Sequence, residues 1–264
     1  MLLKISHQTR YQFDAPVTYA LQRLRLTPKS RAGQTVMNWQ TELTGGTAEV
    51  GFDDHHNNHV ELISVEPGQQ EVVITCGGEV ETEDNNGVVG RHGGFAPLWL
   101  FERQTALTRP GPNIRNLVKG MKPAAEIGFF HDLSAEILTR LPYGLGSTNS
   151  ETKAEEAMEA GTGVCQDHAH IFIAACRTLG VPARYVSGYL MMNDRVDQAA
   201  SHAWAEAHVD ALGWVGFDIS NQVSPDERYV RVATGLDYTD AAPISGLHFG
   251  EYSDQMVVSI QVEQ

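Results

Sequence analysis

Apolar and polar residues alternate through much of the first 105 residues of the chain, and this pattern predicts a series of β-strands. The stretches "LLKISHQTRYQFDAPV" and "LQRLRLTPKS" are rich in β-formers, and a proline falls near the end of each. Between residues 60 and 75, period-two faces flank the turn sequence "PGQQ". Short strands at this spacing are typical of a β-sandwich.

The pattern changes near "RQTALTRPGPN", residues 103–113, which is typical of a linker or a tight interdomain turn. Helical periodicity follows in "EIGFFHDLSAEILTRL" and "SETKAEEAMEA", and strand-like segments come later in "ARYVSGYL", "SHAWAEAHV" and "GWVGFDIS". Helices followed by an antiparallel sheet indicate an α+β fold. We therefore predict an N-terminal β-sandwich-like domain over residues 1–105 and a second domain, with helices packed on an antiparallel sheet, over residues 106–264.

One helix of the second half has a clear buried stripe. Its apolar residues recur at the i, i+3, i+4, i+7 and i+10 positions: Ala169, Phe172, Ile173, Cys176 and Leu179. Gly180 and Pro182 then end the helix. Counting back along the stripe places Cys165 in the first helical turn.

The charge of the chain argues against one class of partner. Asp and Glu outnumber Lys and Arg by 33 to 19, which gives a formal net charge of −14, and there is no basic run. Such a chain repels phosphate backbones, so we expect no nucleic-acid partner.

The cysteines and the N-terminal sequence bear on location. An odd, sparse set of three cysteines gives no disulfide framework and fits a reducing compartment. The opening "MLLKISHQTRYQF" lacks the apolar region of a signal peptide, and no stretch approaches the roughly 18–20 apolar residues of a membrane span. We expect a cytoplasmic protein with no membrane partner, and the sequence predicts no oligomeric state.

Cys165 has surroundings that suit a nucleophilic thiol. The thiolate is the reactive form of cysteine, and a helix N-terminus and a nearby imidazolium both favour it. A cysteine in the first turn meets unpaired backbone N–H groups, which could also hold the oxyanion of a tetrahedral intermediate. Gly163, two residues earlier, allows close approach of a substrate backbone. Cys76 and Cys176 are interpreted as buried and inert.

A predicted hairpin supplies partners for this thiol. One face of the strand "SHAWAEAHV" carries His202, and one face of the next strand, "GWVGFDIS", carries Asp218. Folding about the turn "DALG" leaves the two side chains on one face, directly opposite or one diagonal step apart. A carboxylate at that distance fixes the imidazole tautomer and stabilises its charged form. The arrangement follows the logic of the Ser-His-Asp triad, with sulfur in place of oxygen.

The segments "GVCQDHAHIFIAACRTLGVPARYVSGYL", "SHAWAEAHV" and "GWVGFDISN" together resemble the transglutaminase-like superfamily, over roughly residues 150–222. "GLDYTDAAPISG" and "YQFDAPVTYALQRLRLTP" are similar to segments of bacterial transglutaminase-like proteins that carry an N-terminal β domain. The resemblance implies a papain-like core, a Cys165–His202–Asp218 triad and acyl transfer through a thioester. It leaves substrate and acceptor open, because the superfamily includes crosslinking enzymes, proteases, deamidases and amidases.

Four positions depart from the pattern of that superfamily. Asp218 is followed by Ile219 and Ser220, where Asp-Pro-Thr is common. His168 stands where an aromatic residue is usual, and Leu236 stands where arginine is usual. These departures bear on substrate details more than on the triad, and they leave a weakened or specialised enzyme as an alternative.

Four residues are candidate substrate contacts: Gly163, His168, Tyr189 and Trp204. His168 is interpreted as a pocket side chain or a support for the site, with simple packing as the alternative. Tyr189 and Trp204 could each wall a substrate channel or pack around the hairpin.

The segment "FDDHHNNHVE", residues 52–61, could be interpreted as a metal site because of its histidines and aspartates. A polar hairpin turn is the preferred interpretation, since Asn57 and Asn58 tolerate left-handed backbone. A zinc site at Cys165 and His168 lacks a second pair of ligands. We expect no metal and no cofactor.

The sequence therefore predicts a cysteine-dependent hydrolase, a protease or amidase, that acts on amide bonds of a protein or peptide substrate. Transglutaminase or deamidase activity on glutamine side chains is the alternative with the same chemistry. A non-catalytic binding or scaffold protein that retains the fold is the alternative from a different class.

Overall fold

The protein has an α+β fold, as predicted. The computed structural model describes residues 1–122, 126–249 and 254–264. In this part of the chain the strands are β1 (Leu2–Phe13), β2 (Tyr19–Leu24), β3 (Gln34–Thr44), β4 (Gly46–Asp53), β5 (His59–Val65), β6 (Glu71–Thr82), β7 (Val88–Gly90), β8 (Ala183–Leu190), β9 (Asp197–Gln198), β10 (His202–Val209), β11 (Gly213–Phe217), β12 (Tyr229–Gly235), β13 (Ile244–Phe249) and β14 (Asp254–Glu263). A 3₁₀ helix (Leu98–Glu102) precedes the α-helices α1 (Pro112–Leu117), α2 (Ile127–Arg140), α3 (Ala154–Ala160), α4 (Cys165–Thr178) and α5 (Tyr238–Ala241). Within these ranges no helix has the length and apolar character needed to cross a membrane.

The N-terminal strands build two antiparallel sheets that share one core. One sheet has the order β3–β6–β1–β14–β9, and the other has the order β13–β2–β5–β4. Every second residue of β1 is buried, as the alternating pattern predicts. Side chains from both sheets meet in one apolar cluster that includes Tyr11, Leu24, Ile63 and Ile74. The predicted N-terminal β domain is therefore confirmed.

The last strands of the chain return to this N-terminal unit. β14 pairs antiparallel with β1, and β13 pairs antiparallel with β2. Conversely, β7 from the N-terminal segment pairs with β11. A division into residues 1–105 and 106–264 cuts these pairs, because backbone hydrogen bonds and not chain order define a sheet. The predicted division therefore does not follow the strand pairing.

The core of the second unit is a five-stranded antiparallel sheet with α4 packed against it. The strand order is β12–β8–β10–β11–β7. Ala203, Ala205 and Ala207 of β10 lie in the same apolar cluster as the residues of α4, so this strand meets the helix through small side chains. α1, α2 and α3 also contact α4, and every residue from Asp167 to Arg177 is buried. The predicted stripe is buried, but so are the polar positions between its members, because other helices cover the side that a surface helix turns to water.

The histidine-rich segment at residues 52–61 forms a hairpin turn, as predicted. β4 ends at Asp53, β5 begins at His59, and Asn57 between them has left-handed backbone with a φ of 63°. Throughout the residues that the structure describes, no three His, Cys, Asp or Glu side chains are grouped as metal ligands.

Candidate active site

Cys165 is the first residue of α4, and its side chain is partly exposed. The helix start is held by Asp167, whose Oδ2 accepts hydrogen bonds from the Val164 backbone N–H (2.8 Å) and the Thr148 hydroxyl (2.7 Å). A carboxylate in the first turn also suits the positive end of the helix dipole. The thiol is thus fixed at a capped helix end with one side open.

The other two cysteines are poorly suited to act as nucleophiles. Burial raises the pKa of the Cys76 thiol to about 12, and burial also raises the pKa of the Cys176 thiol. Both side chains lie in apolar clusters. Their predicted burial is confirmed.

Gly163 supports the loop before the helix and does not face a substrate. The residue is buried, its N–H donates to the Pro142 carbonyl (3.3 Å), and its own carbonyl accepts from the Gly144 N–H (2.9 Å). A Cβ at residue 163 would lie 2.9 Å from the Asp167 side chain and 3.1 Å from that of Leu141. Glycine is needed here because the capping carboxylate passes too close for any side chain. The prediction of Gly163 as a substrate contact is corrected on this point.

The hairpin of β10 and β11 brings His202 and Asp218 together. Its register pairs Ala205 with Phe217 and Glu206 with Gly216. Continuing that register puts residue 218 opposite residue 204, so His202 and Asp218 are one diagonal step apart. The imidazole Nε2 donates to the carboxylate Oδ2 over 2.6 Å. This is one of the two arrangements that the strand pattern allows.

Asp218 is fixed by more partners than His202. Its Oδ2 accepts from the Asn221 side-chain amide (2.7 Å) and from the Tyr229 hydroxyl (2.8 Å), and its Oδ1 accepts from the Asn221 backbone N–H (3.2 Å). Burial alone would raise the pKa of this carboxyl, but the charge of His202 and these hydrogen bonds lower it. The carboxylate is therefore held ionised and in one orientation.

Sequence reasoning missed both of these supporting residues. Asn221 lies three residues after Asp218, a spacing at which an Asp side chain commonly accepts a backbone N–H in a turn, so a local signal was present. Tyr229 lies eleven residues after Asp218, on β12, and no local pattern links it to the carboxylate.

His202 joins the carboxylate to the thiol. Burial alone would lower the pKa of its imidazole, but the charges of Asp218 and Cys165, with side-chain hydrogen bonds to both, raise that pKa to about 10. Because Nε2 is engaged by Asp218, Nδ1 is the ring nitrogen left for the Cys165 sulfur. The structure therefore brings the three predicted catalytic residues together: His202 is hydrogen-bonded to Asp218, and its imidazole interacts electrostatically with Cys165.

His168 is a buried link between segments and has no surface open to a substrate. The side chain is fully buried, and its Nε2 donates to the Leu141 carbonyl over 2.7 Å. Its Nδ1 then accepts from the Ser220 hydroxyl at 2.8 Å. Burial lowers the pKa of His168, which favours this neutral form. The interpretation as a pocket residue is corrected, and Ser220, one of the departures from the superfamily pattern, becomes its partner.

Tyr189 and Trp204 are also buried. The Tyr189 hydroxyl contacts His7 Nδ1 at 2.8 Å and lies 3.9 Å from the Cys76 sulfur, so this ring faces the N-terminal unit. Trp204 stacks on the His202 ring at a centroid distance of 6.3 Å and meets Tyr229 edge-on at 5.5 Å. Tyr189 is therefore not a substrate contact, and Trp204 packs behind the imidazole instead of walling a channel.

Tyr143 is a side chain near the thiol that the sequence does not single out. Its backbone forms a parallel bridge with Gly163, and the residue remains 53% exposed. Burial and the nearby charge of Cys165 raise the pKa of its hydroxyl. An aromatic residue within the glycine-rich loop "LPYGLGSTNS" was the available signal. Tyr143 is therefore an exposed aromatic side chain near the thiol.

Two family models match the chain. Residues 3–81 match the bacterial transglutaminase-like N-terminal region, and residues 115–219 match the transglutaminase-like superfamily core. Together the matches include Cys165, His202 and Asp218, and they leave the C-terminal strands outside.

Three relatives are similar over different shares of the chain. An uncharacterised protein of Mycobacterium leprae is 28% identical over 98% of this chain and 98% of its own length. The crystal structure of a candidate cysteine protease from Cytophaga hutchinsonii superposes with a TM-score of 0.79 at 23% identity, covering 100% of this chain and 91% of that one, which shows a shared fold. A protein-glutamine gamma-glutamyltransferase of Pseudomonas aeruginosa is 28% identical over 118 residues, which are 39% of this chain and 17% of that protein.

Proposed function

Since this chain joins a bacterial transglutaminase-like N-terminal region to a transglutaminase-like core, we propose that it is a cysteine hydrolase, a protease or amidase. The single observation that carries the proposal is the hydrogen bond from His202 to Asp218, with the partly exposed Cys165 thiol acting on the same imidazole. An imidazole held between a carboxylate and a partly exposed thiol is the arrangement that activates sulfur.

The first step forms an acyl-enzyme. The Cys165 thiolate attacks the amide carbonyl carbon, and the carbonyl oxygen gains the negative charge. The Cys165 backbone N–H, unpaired in the first turn of α4, is suited to donate to that oxyanion. The His202 imidazolium then gives its proton to the leaving nitrogen, so that an amine departs and a thioester remains.

The second step releases the acyl group. The imidazole, now neutral, takes a proton from water, and the resulting hydroxide adds to the thioester carbonyl. Collapse of this intermediate yields a carboxylic acid and returns the thiolate and imidazolium. Asp218 stays ionised throughout and keeps the ring in the orientation that serves both steps.

The substrate class we propose is a protein or peptide. Tyr143 lies near the thiol, and its exposed side chain could pack on a peptide chain. All three cysteines are free, which suits a reducing compartment, and we propose a cytoplasmic location on that ground.

Amine transfer is the second candidate function. The observation that favours it is the 118-residue similarity to a protein-glutamine gamma-glutamyltransferase. A primary amine, in place of water, would resolve the same thioester, and deamidation is the same route with glutamine as substrate and water as acceptor. A fold-retaining scaffold without catalysis is the remaining alternative, and the interaction of the His202 imidazole with Cys165 argues against it.

One experiment separates these functions. The protein is incubated with a peptide library and a labelled primary amine, and the products are analysed by mass spectrometry. We expect backbone or amide cleavage by the wild type and by Cys176→Ala, and none by Cys165→Ser. Conversion of glutamine to glutamate, or incorporation of the amine, would instead assign the second candidate. Equal cleavage by wild type and Cys165→Ser would contradict both.

A further inference from the structure

A small cavity lies behind the His202–Asp218 pair, on the face of the core sheet that α4 does not cover. Its volume is about 70 Å³. Its walls come from the turn before β3 and from the core sheet, and they include Arg31, Val88, Trp204, Glu206, Pro225 and Arg231. Successive residues of a strand point to opposite faces of the sheet. Trp204 and Glu206 alternate with the alanines of β10 that pack with α4, so they lie on the opposite face of the sheet from this helix.

The cavity contains more guanidinium groups than its carboxylate can satisfy. Glu206 is fully buried, and its two carboxylate oxygens accept from Arg231 at 2.8 and 3.1 Å and from Arg184 Nε at 2.5 Å. Arg31 is a third guanidinium beside this pair, close enough to interact electrostatically with Glu206 and Arg184. Among the described residues, its Nε is buried without a hydrogen-bond partner.

The remaining carboxylates near the cavity do not neutralise Arg31. Asp226 lines the wall but accepts two hydrogen bonds from Arg228 Nε, both at 3.0 Å, and one from its Nη2 at 2.6 Å. Glu83 lies at the exposed rim. Arg31 is partly buried, and burial lowers its pKa to about 10 although the Glu206 charge acts in the opposite direction. Such a charge is costly unless something pairs with it.

The turn that carries Arg31 is rigidly built. Arg31 and Gln34 exchange backbone hydrogen bonds at 2.8 and 3.1 Å. The Gln34 side chain then binds the backbone of Arg231, donating to its carbonyl (2.9 Å) and accepting from its N–H (2.8 Å). Gly33 between them has a φ of 76°, and a Cβ there would lie 2.0 Å from the Asn85 side chain. The backbone that carries the Arg31 side chain is therefore fixed by the fold.

We propose that this cavity binds a small monocarboxylate whose oxygens pair with Arg31. A guanidinium presents its donors as a planar fork that matches a carboxylate. A water needs about 10–15 Å³ of such space, so the cavity encloses only a few heavy atoms, the carboxylate end of the ligand. The apolar part of the ligand would lie against Trp204, Val88 and Pro225. A free short-chain acid and the C-terminal carboxylate of a peptide share this chemistry.

The ligand site is separate from the reacting atoms. Trp204 and Tyr229 line the cavity and contact His202 and Asp218 from behind. These two side chains support His202 and Asp218, but no step proposed for Cys165 uses Arg31, which would bind the carboxylate. Binding can therefore be measured without any catalytic turnover, and its failure would leave the proposed enzyme function standing.

The test is thermal unfolding of the whole protein with sodium propionate, against sodium chloride and sodium sulfate at equal ionic strength. We expect propionate to raise Tm by about 5 °C at saturation, with a hyperbolic dose dependence, and the other salts to raise it less. Arg31→Gln should abolish the propionate shift, whereas Arg115→Gln, an exposed arginine on α1, should retain it. An equal shift with chloride or sulfate, or an undiminished shift in Arg31→Gln, would overturn the proposal.

Two further arms cover folding of the variant and the source of the carboxylate. If Arg31→Gln does not fold, Arg31→Lys keeps the charge without the fork, and its apparent affinity for propionate should fall at least about tenfold; an unchanged affinity would overturn the proposal. N-acetylalanine binding beside propionate would point to peptide C-termini, and propionate binding alone would point to free acids. N-acetylalanine amide lacks the carboxylate and should not bind. If it raised Tm as much as propionate does, the proposed carboxylate site would be contradicted.

Discussion

Strand β10 carries two buried ionisable side chains, His202 and Glu206, on residues of the same parity. Each makes a close ion pair with a residue from another part of the sheet. The nitrogen–oxygen distance is 2.6 Å for His202 with Asp218 and 2.5 Å for Glu206 with Arg184. Glu206 lies in the middle of the strand, and both of its oxygens are taken by guanidinium groups. His202 is the first residue of the strand, and its second ring nitrogen is left for Cys165.

The difference shows how position on a strand decides what a buried ion pair can do. In mid-strand, arginines of β8 and β12 take both oxygens of the Glu206 carboxylate, so this cluster fixes the sheet. At the strand end, His202 lies beyond the pairing with β11, which ends at Ala205, and its imidazole interacts with Cys165 at the start of α4. The same element therefore supplies one pair for structure and one pair that we propose for chemistry.

The largest expected effect comes from removing the imidazole. His202→Asn should lower kcat on a cleaved peptide by roughly 10⁴-fold, because the thiol loses its base and the leaving nitrogen loses its proton donor. The measurement is steady-state hydrolysis with the variant and wild type at equal concentration. His208→Asn is the matched control, since this histidine of β10 contacts Trp214 and not the thiol. A loss of the same size in His208→Asn would contradict a specific role of His202 in catalysis.

The second effect concerns stability. Glu206→Gln should lower the free energy of unfolding by about 3–5 kcal/mol, because it leaves Arg184 and Arg231 buried without their carboxylate. Urea denaturation followed by tryptophan fluorescence measures this change. Glu71→Gln breaks an exposed pair with Arg10 and should cost no more than about 1 kcal/mol. Equal losses in the two variants would mean that the buried cluster contributes no more than a surface pair.

The third effect is a pH dependence. The folded pKa of His202 is raised to about 10, above 6.5, so the imidazolium stabilises the fold fully below pH 6.5 and this contribution is lost as pH rises through about 10. Hydrolysis should fall over the same range, about tenfold for each pH unit above the pKa, since the leaving nitrogen then lacks its proton donor. Rates and Tm measured from pH 7 to 11 test this, and an alkaline limb near pH 7 would contradict it.

The smallest effect concerns the support of Asp218. Tyr229→Phe removes one donor to the carboxylate Oδ2 and should lower kcat by about 3- to 10-fold. The pH at which the rate begins to fall on the alkaline side should also move by less than about one pH unit, because the remaining Asn221 contacts keep the Asp218 carboxylate ionised. Comparing pH–rate profiles of wild type and variant separates this from a general loss of folded protein. An unchanged kcat would show that Asn221 alone positions Asp218.

The site was predictable where its geometry is local. A short turn fixes the register of β10 and β11, so the proximity of His202 and Asp218 follows from spacing and parity. The start of α4 at Cys165 follows in the same way from the apolar stripe and the glycine that ends it. The resemblance to the transglutaminase-like superfamily rested on these same local segments.

The remaining errors arise from contacts between distant parts of the chain. Tyr189 bonds to His7, 182 residues away, and His168 bonds to the Leu141 carbonyl, 27 residues away. No periodicity records such pairs, so side chains near the site in sequence were taken for substrate contacts. The predicted domain division also did not include the pairing of β14 with β1, since these strands are far apart in the sequence.

The most direct test of the account is the alkylation rate of Cys165 by iodoacetamide at pH 7, measured by peptide mass spectrometry. In wild type and His208→Asn, Cys165 should react at least about tenfold faster than in His202→Asn, because the imidazolium maintains the thiolate. Cys76 and Cys176 should stay unlabelled in all three folded proteins. Equal rates at Cys165 with and without the His202 imidazole would contradict the claim that these two groups form a reactive pair.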